Sequence, residues 1–183
     1  MEVIETKKMP HLYLDMDGVQ ADFFGAWADR QGVPHWKAIN DKEGEIEKLA
    51  NSSDKEVYEF FRDLKPLKGG MQIIAWLKKH NIPYTVLSAP LRGPHADASK
   101  KAKRDWLDQY HPGSSGNAIF TSKKYQYAKN GNTINVLVDD FGPYLKHWSD
   151  AGGIAVKHED EYEVPNSAEA TIKELEKIYF GDK

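Results

Sequence analysis

The chain contains no cysteine among its 183 residues. This absence excludes disulfide bonds, cysteine nucleophiles and zinc sites with thiolate ligands. Any metal ion must therefore be held by oxygen or imidazole ligands, which favours a hard cation.

Long apolar runs and a strong excess of charge are also absent. No run approaches the roughly 20 apolar residues of a membrane span, and the first ten residues contain no apolar segment of the kind found in secretion signals. The net charge is only −3, from 25 basic and 28 acidic side chains, and it provides no general attraction to nucleic acids or anionic membranes. We therefore predict a cytoplasmic protein that binds a small molecule rather than a nucleic-acid polymer or a membrane.

Short apolar runs that end in polar residues alternate with stretches of helical periodicity. Five such runs predict buried strands, at residues 11–14, 84–87, 118–120, 134–138 and 154–156. Helices are predicted over residues 69–80 and 97–110, and a C-terminal helix is predicted to begin with a capping box formed by Asn166 and Glu169. Strands that alternate with helices predict an α/β fold built on a doubly wound parallel sheet.

Residues 20–66 depart from this alternation. The interval is too long for a simple crossover and too polar in its middle to form one helix. We predict a small helical cap inserted after the first strand, with residues 1–19 and 67–183 forming the α/β core.

Polar side chains follow each of the first four predicted strands. In chain order they are Asp15 and Asp17, Ser88, Lys123 and Lys124, and Asp139 and Asp140. The carboxyl ends of parallel strands meet at one edge of the sheet, so these side chains are expected to converge. Any of them alone is common in turns or on surfaces, but closely packed carboxylates repel one another unless a cation lies between them. The set as a whole predicts a Mg²⁺ site that accepts a phosphate group.

This ordered set resembles the signature of the haloacid dehalogenase superfamily of phosphatases, which consists of Asp-x-Asp-Gly, a Ser or Thr, a Lys and an acidic pair. The closest similarity is to the 5′(3′)-deoxyribonucleotidase family and extends over residues 12–156. It is carried by residues 14–23, 60–61, 66–69, 88–90, 103–106 and 137–140. The resemblance implies a Rossmann-like core and a Mg²⁺-dependent 5′-nucleotidase that acts on (deoxy)ribonucleoside monophosphates through an aspartyl phosphate.

The resemblance also implies roles for the acidic residues. Asp15 matches the nucleophile, and Asp17 matches the general acid that protonates the leaving oxygen and later activates water. The implied protein ligands of Mg²⁺ are Asp15, the backbone carbonyl of Asp17, and Asp140. Asp139 is expected to support the metal site indirectly, through a water molecule or a hydrogen bond to a ligand. Which of Asp139 and Asp140 is the direct ligand stays open.

Phosphate and substrate contacts are implied in the same way. Ser88, the backbone N–H of Ala89, and Lys124 match the groups that bind the phosphoryl oxygens, with Lys123 as the alternative lysine. Phe23 matches a substrate-facing position of the family and is expected to stack on a base. The family's Thr-Ser-Pro is replaced here by Ser-Ala-Pro, which removes one hydroxyl.

Two other functions fit parts of the pattern. A phosphatase of another small ester, such as a phosphosugar, would use the same core motifs, because these motifs do not choose the leaving group. A receiver-like signalling module also has a phospho-accepting aspartate and Mg²⁺. However, Asp17 lies two residues beyond the expected acceptor, where it suits a leaving-group acid that such a module does not need.

Overall fold

The computed structural model describes residues 8–181. The strands, in chain order, are β1 (Leu12–Leu14), β2 (Tyr84–Ser88), β3 (Ile119–Phe120), β4 (Lys129–Asn130), β5 (Thr133–Ile134), β6 (Val136–Asp139) and β7 (Ile154–Lys157). The α-helices are α1 (Phe23–Arg30), α2 (Lys42–Ala50), α3 (Asp54–Arg62), α4 (Lys68–Lys79), α5 (Ala96–Tyr110), α6 (Gly142–Asp150) and α7 (Ser167–Phe180). Short 3₁₀ helices lie at Trp36–Ala38 and Lys124–Tyr127. Among these residues no helix is long and apolar enough to cross a membrane.

The central sheet has five parallel strands in the order β3-β2-β1-β6-β7. Leu14 in β1 pairs with Val86 on one side and Val138 on the other. Such strands have both faces covered, which explains why they appear in the sequence as short apolar runs. The predicted α/β fold with a doubly wound parallel sheet is confirmed.

Helices cover both faces of this sheet. On one face, Leu14 and Val138 belong to an apolar cluster that includes Leu77 of α4 and Leu175 of α7. On the other face, Leu137 packs in a cluster with Trp148 of α6. Because neighbouring residues of a strand point to opposite faces, the run Val136–Asp139 supplies both layers of the core.

The strand predicted over residues 134–138 is shifted in the structure. Ile134 is 41% exposed and pairs with Lys129 in a separate antiparallel ribbon, β4–β5. The sheet strand begins only at Val136, whose N–H donates to the carbonyl of His11. The apolar run therefore contains two elements with different partners, which residue type alone did not distinguish.

The predicted capping box at the start of α7 is wrong. Asn166 adopts a left-handed conformation with φ 61° and ψ 28°, and its side chain makes no capping hydrogen bond. Capping residues normally have an extended backbone, which directs the side-chain oxygen at the first free N–H groups. Here the Asn166 carbonyl accepts from the N–H of Glu169 instead.

The helices α1, α2 and α3 lie between β1 and α4, within the predicted cap. Ala21 and Pro66 form an antiparallel bridge, so the chain enters and leaves this segment at adjacent points. The segment also packs on the core, because the indole Nε1 of Trp106 in α5 donates to the carbonyl of Leu64 at 2.7 Å. The division into a cap of residues 20–66 and a core stays a prediction, and part of that core, residues 1–7 and 182–183, lies outside the described residues.

Candidate active site

The strand order brings the polar residues together at one edge of the sheet. Because β1 lies between β2 and β6, Asp15 directly after β1 is flanked by the last residues of its neighbours, Ser88 and Asp139. From β1 the chain continues to β2 and β3 on one side of the sheet and later adds β6 and β7 on the other side. This reversal of strand order opens a crevice next to β1.

The turn after β1 depends on a glycine. Gly18 has φ +80°, and a Cβ atom at this position would lie 2.3 Å from Oδ2 of Asp140. Only glycine permits both this backbone conformation and the close approach of the carboxylate. The same turn is held from inside by Gln20, which is fully buried and donates from Nε2 to the carbonyl of Asp15 at 2.9 Å.

Lys124 forms the central ion pair of the site. Its Nζ lies 2.7 Å from Oδ1 of Asp15 and 2.7 Å from Oδ2 of Asp139, and all three side chains are buried. Burial alone works to raise the pKa of Asp15, but the Lys124 ammonium outweighs it and holds that pKa below its ordinary value. Lys123, the alternative lysine, is exposed on the surface.

The acidic pair at the end of β6 adds two carboxyl groups beside the single Lys124 ammonium. Burial, reinforced by the charge of Asp15, raises the pKa of Asp139 to about 7 and that of Asp140 well above its ordinary value. One carboxylate oxygen from each of Asp15, Asp139 and Asp140 lies within 4.8 Å of the others. Oxygen ligands of this number and charge suit a divalent cation such as Mg²⁺.

Asp17 contacts a lysine that was not predicted as a site residue. Lys103 of α5 is fully buried, and its Nζ lies 2.8 Å from Oδ2 of Asp17 and 2.8 Å from Oγ of Ser88. Burial raises the pKa of Asp17, although the Lys103 charge opposes this shift. Asp15 and Asp17 are thus two neighbouring carboxyl groups whose environments shift their pKa values in opposite directions.

A cavity of about 830 Å³ opens from Asp17 toward the predicted cap. Its aromatic lining consists of Phe23 and Phe61 on the cap side and Phe141 and Tyr144 after β6. Polar residues from α2 and from the loop after β2 also line it, namely Glu43, Glu47, Asn51 and Arg92. The volume is that of a pocket for a small organic ligand.

Most of these groups were predicted from the sequence as site residues, but Lys103 was not. Its segment, residues 103–106, belongs to the resemblance described above, yet the lysine itself received no role. The available signal was its position on the buried face of α5, between Ala102 and Trp106. A lysine is almost never fully buried unless it is paired, so this placement indicates a polar partner inside the protein.

A sequence profile of the family described as "5′ nucleotidase, deoxy (Pyrimidine), cytosolic type C protein" matches residues 8–159. No curated protein matches the sequence significantly.

Solved structures with the same fold include two hydrolases. One is a hydrolase from Pseudomonas syringae, with a TM-score of 0.51 and 12% identity over 89% of this chain and 90% of that one. The other is a haloacid dehalogenase-like family hydrolase from Streptococcus pneumoniae, with a TM-score of 0.50 and 8% identity over 91% of this chain and 98% of that one. At these identities the similarity concerns the fold.

Proposed function

Because the chain belongs to the 5′ nucleotidase, deoxy (Pyrimidine), cytosolic type C family and is a haloacid dehalogenase-type hydrolase of phosphate monoesters, we propose that it is a Mg²⁺-dependent nucleotidase working through an aspartyl phosphate. Because the family consists of hydrolases, a receiver-like signalling module is not proposed as the function. The family description names a cytosolic type, which agrees with the predicted cytoplasmic location.

The proposed chemistry depends on the contrast between Asp15 and Asp17. The pKa of Asp15 is held low beside Lys124, which suits a nucleophilic carboxylate, whereas the pKa of Asp17 is raised by burial, which suits a general acid. Neighbouring carboxyl groups with pKa values shifted apart are the usual arrangement for two such roles. The observation that carries the proposal is the placement of the two carboxyl groups, with Asp15 at 2.7 Å from the buried Lys124 ammonium and Asp17 two residues later in the lining of the 830 Å³ cavity.

Two steps follow from these roles. An oxygen of Asp15 bonds to phosphorus while the ester P–O bond breaks, and Asp17 gives its proton to the departing oxygen. Asp17, now a carboxylate, takes a proton from a water molecule whose oxygen attacks phosphorus, which releases phosphate and restores Asp15. Ser88, the N–H of Ala89, and Lys124 are proposed to bind the phosphoryl oxygens.

The proposed Mg²⁺ ligands are Asp15, the backbone carbonyl of Asp17, and Asp140. Both oxygens of Asp139 already accept hydrogen bonds, Oδ2 from Lys124 and Oδ1 from the N–H of Phe141 at 2.9 Å. This supports a role for Asp139 in orienting Lys124 rather than in binding the metal directly. When bound, Mg²⁺ supplies positive charge that stabilises the oxygens of the transferring phosphoryl group.

Added Mg²⁺ is expected to raise the melting temperature, and to raise it more at about pH 8 than at about pH 6. The pKa values of Asp139 and Asp140 are raised in the folded protein, so ionising these groups as the pH rises destabilises the metal-free fold. Protonation of these two groups removes negative charge from the site, so a cation binds and stabilises best where they are ionised. At about 100 times its Kd the ion adds about 2.7 kcal/mol, or roughly 5–10 °C for a domain of this size.

Differential scanning fluorimetry with MgCl₂ checks this expectation, with NaCl of the same ionic strength as the control. Equal shifts at both pH values, or no shift at either, would contradict the assignment of the carboxylates as a metal site.

The proposed substrate is a nucleoside monophosphate, with its base in the 830 Å³ cavity. Phe23 lines this cavity, is half-buried, and packs against Phe60 and Phe61 at ring distances of 5.7 and 6.0 Å. Its ring is therefore held in place by the packing of the cap, and part of its surface is left open in the cavity that Asp17 also lines. A rigid, partly open aromatic ring of this kind is suited to stacking on a base.

Phe23→Ala is expected to lower kcat/KM for nucleoside monophosphates by about ten- to a hundredfold, because stacking contributes roughly 1–3 kcal/mol per base. The expected loss is smaller for p-nitrophenyl phosphate, which has no base. Steady-state kinetics on both substrates measure the difference.

Phe60→Ala is the matched control for Phe23→Ala. Phe60 packs on Phe23 but lines a separate cavity of about 600 Å³ between α1 and α3. An equal loss on both substrates in Phe23→Ala, matched by Phe60→Ala, would show that Phe23 serves only cap packing.

The proposed function as a whole is tested by a hydrolysis screen with Mg²⁺. Nucleoside 5′- and 3′-monophosphates, in ribo and deoxy forms, are compared with sugar phosphates, and each reaction is repeated in EDTA. We expect one or more nucleotides to give the highest kcat/KM and EDTA to abolish activity. A preference for sugar phosphates over every nucleotide would contradict the nucleotidase assignment but not the phosphatase.

A further inference from the structure

The side chain of Lys103 ends in an ammonium group that is fully buried beside the candidate active site. The side chain has no exposed surface. Its Nζ lies 2.8 Å from Oδ2 of Asp17, 2.8 Å from Oγ of Ser88 and 2.9 Å from the carbonyl of Ala89. An ammonium has three N–H donors, so these three acceptors use all of them.

The fold alone does not require a charge at this position. Burying an ammonium costs several kcal/mol before pairing, whereas an apolar side chain between Ala102 and Trp106 would extend the buried face of α5. The hydrogen-bond partners of Lys103 lie in the turn after β1, which carries the proposed acid, and at the end of β2, which carries the proposed phosphate-binding groups. Its Nζ also lies 5.1 Å from the ring centre of Phe61, which lines the cavity beside Asp17. The contacts therefore point to a role in the reaction rather than in the packing of the helix.

The first consequence concerns Asp17. Lys103 engages Oδ2, while Oδ1 is a buried atom that has no hydrogen-bond partner among the described residues. The contact fixes the orientation of the carboxyl group and makes its two oxygens inequivalent.

The second consequence concerns Ser88. Its Oγ accepts a hydrogen bond from Lys103, and so does the nearby carbonyl of Ala89. A serine hydroxyl has a single hydrogen, and with Oγ already accepting from Lys103 that hydrogen is left to donate to another group. Serine lacks the branched Cβ that restricts the side-chain rotamer of threonine. The hydrogen bond from Lys103 therefore restricts the direction of the Ser88 hydroxyl instead.

We infer that Lys103 is a positioning residue for phosphoryl transfer, which orients the carboxyl group of Asp17 toward the leaving oxygen and the hydroxyl of Ser88 toward the phosphate. This inference rests on the proposed function, because it assigns Lys103 to the same reaction. Lys103 itself touches neither the phosphate nor the leaving group in this account, since its three donors are already used by the protein.

The test compares Lys103→Met with wild type on phenyl phosphate, which has a poor leaving group, and p-nitrophenyl phosphate, which has a good one. A misdirected acid slows the poor leaving group more, so kcat/KM, which reports the phosphorylation step, is expected to fall by about a hundredfold on phenyl phosphate and by about tenfold or less on p-nitrophenyl phosphate. Lys100→Met is the matched control, because Lys100 lies on the same helix, is partly exposed and, within residues 8–181, forms an ion pair only with exposed Asp97. It should change neither rate.

A double-mutant comparison separates positioning from a general loss of structure. In an Asp17→Asn background there is no acid left to orient, so Lys103→Met should not increase the difference between the two substrates any further. Lys103→Gln, which keeps a donor without the charge, should lie between wild type and Lys103→Met. Circular dichroism and the melting temperature establish that each variant is folded.

Equal losses on both substrates in Lys103→Met, or a further increase in substrate discrimination in the Asp17→Asn background, would overturn the inference. Failure of both Lys103 variants to fold would also overturn it, because the lysine would then serve the fold. The proposed function fails separately, if wild-type protein hydrolyses neither aryl phosphate in the presence of Mg²⁺.

Discussion

Asp15→Asn is expected to abolish turnover while the folded structure is kept. The amide has the same shape as the carboxylate but cannot attack phosphorus to form an acyl phosphate. Removal of the covalent nucleophile lowers kcat by on the order of 10⁶-fold in a serine protease, and a large loss of this kind is expected here. Because Asp15 is 6% exposed and no atom is deleted, the substitution creates no cavity in the core.

The fold is expected to survive for a second reason. Lys124 loses one charged partner in Asp15→Asn but keeps Asp139 at 2.7 Å. Steady-state kinetics on p-nitrophenyl phosphate, with the melting temperature measured in parallel, check both expectations. Asp63→Asn is a suitable control, because Asp63 is an exposed aspartate paired with neighbouring Arg62. Activity of folded Asp15→Asn within about tenfold of wild type would contradict the mechanism.

Asp17→Asn is expected to impair poor leaving groups far more than good ones. An asparagine cannot give a proton to the departing oxygen, and general acid catalysis contributes about 10²–10⁴-fold. A nitrophenolate leaves without protonation, so p-nitrophenyl phosphate should still phosphorylate Asp15 in this variant. The activity of the variant on phenyl phosphate and on nucleoside monophosphates should be mostly lost.

The measurement for Asp17→Asn is kcat/KM across a series of aryl phosphates of increasing leaving-group basicity. A steeper dependence on basicity than in wild type is the expected result. An equal loss for every member of the series would show that the Asp17 side chain does not act as the acid for the leaving group.

The fold and the edge of the sheet that carries the site were predictable from local patterns. Buried parallel strands must be continuously apolar, and catalytic groups in such folds follow their carboxyl ends. Asp15, Ser88 and Asp139 were therefore expected to meet, and they do, because β1 lies between β2 and β6.

Other features depend on contacts between distant parts of the chain. Lys123 and Lys124 look alike in the sequence, and only the start of the 3₁₀ helix at Lys124–Tyr127 turns the second one inward. The contacts of Lys103 require α5 to pack beneath the loop after β2, which no local pattern encodes. Similarly, Glu43 and Glu47 border the cavity only because α2 folds back over it.

Capture of the phosphorylated enzyme tests the central claim of a covalent intermediate on Asp15. In Asp17→Asn the activation of water is impaired, so the aspartyl phosphate formed from p-nitrophenyl phosphate should accumulate. Quenching this variant with acid, reducing the acyl phosphate with borohydride and mapping the peptides by mass spectrometry locate the modified residue. We predict conversion of Asp15 to homoserine, and none in the double variant Asp15→Asn, Asp17→Asn. Modification at another residue, or turnover with a burst of nitrophenolate and no modification at Asp15, would contradict the account.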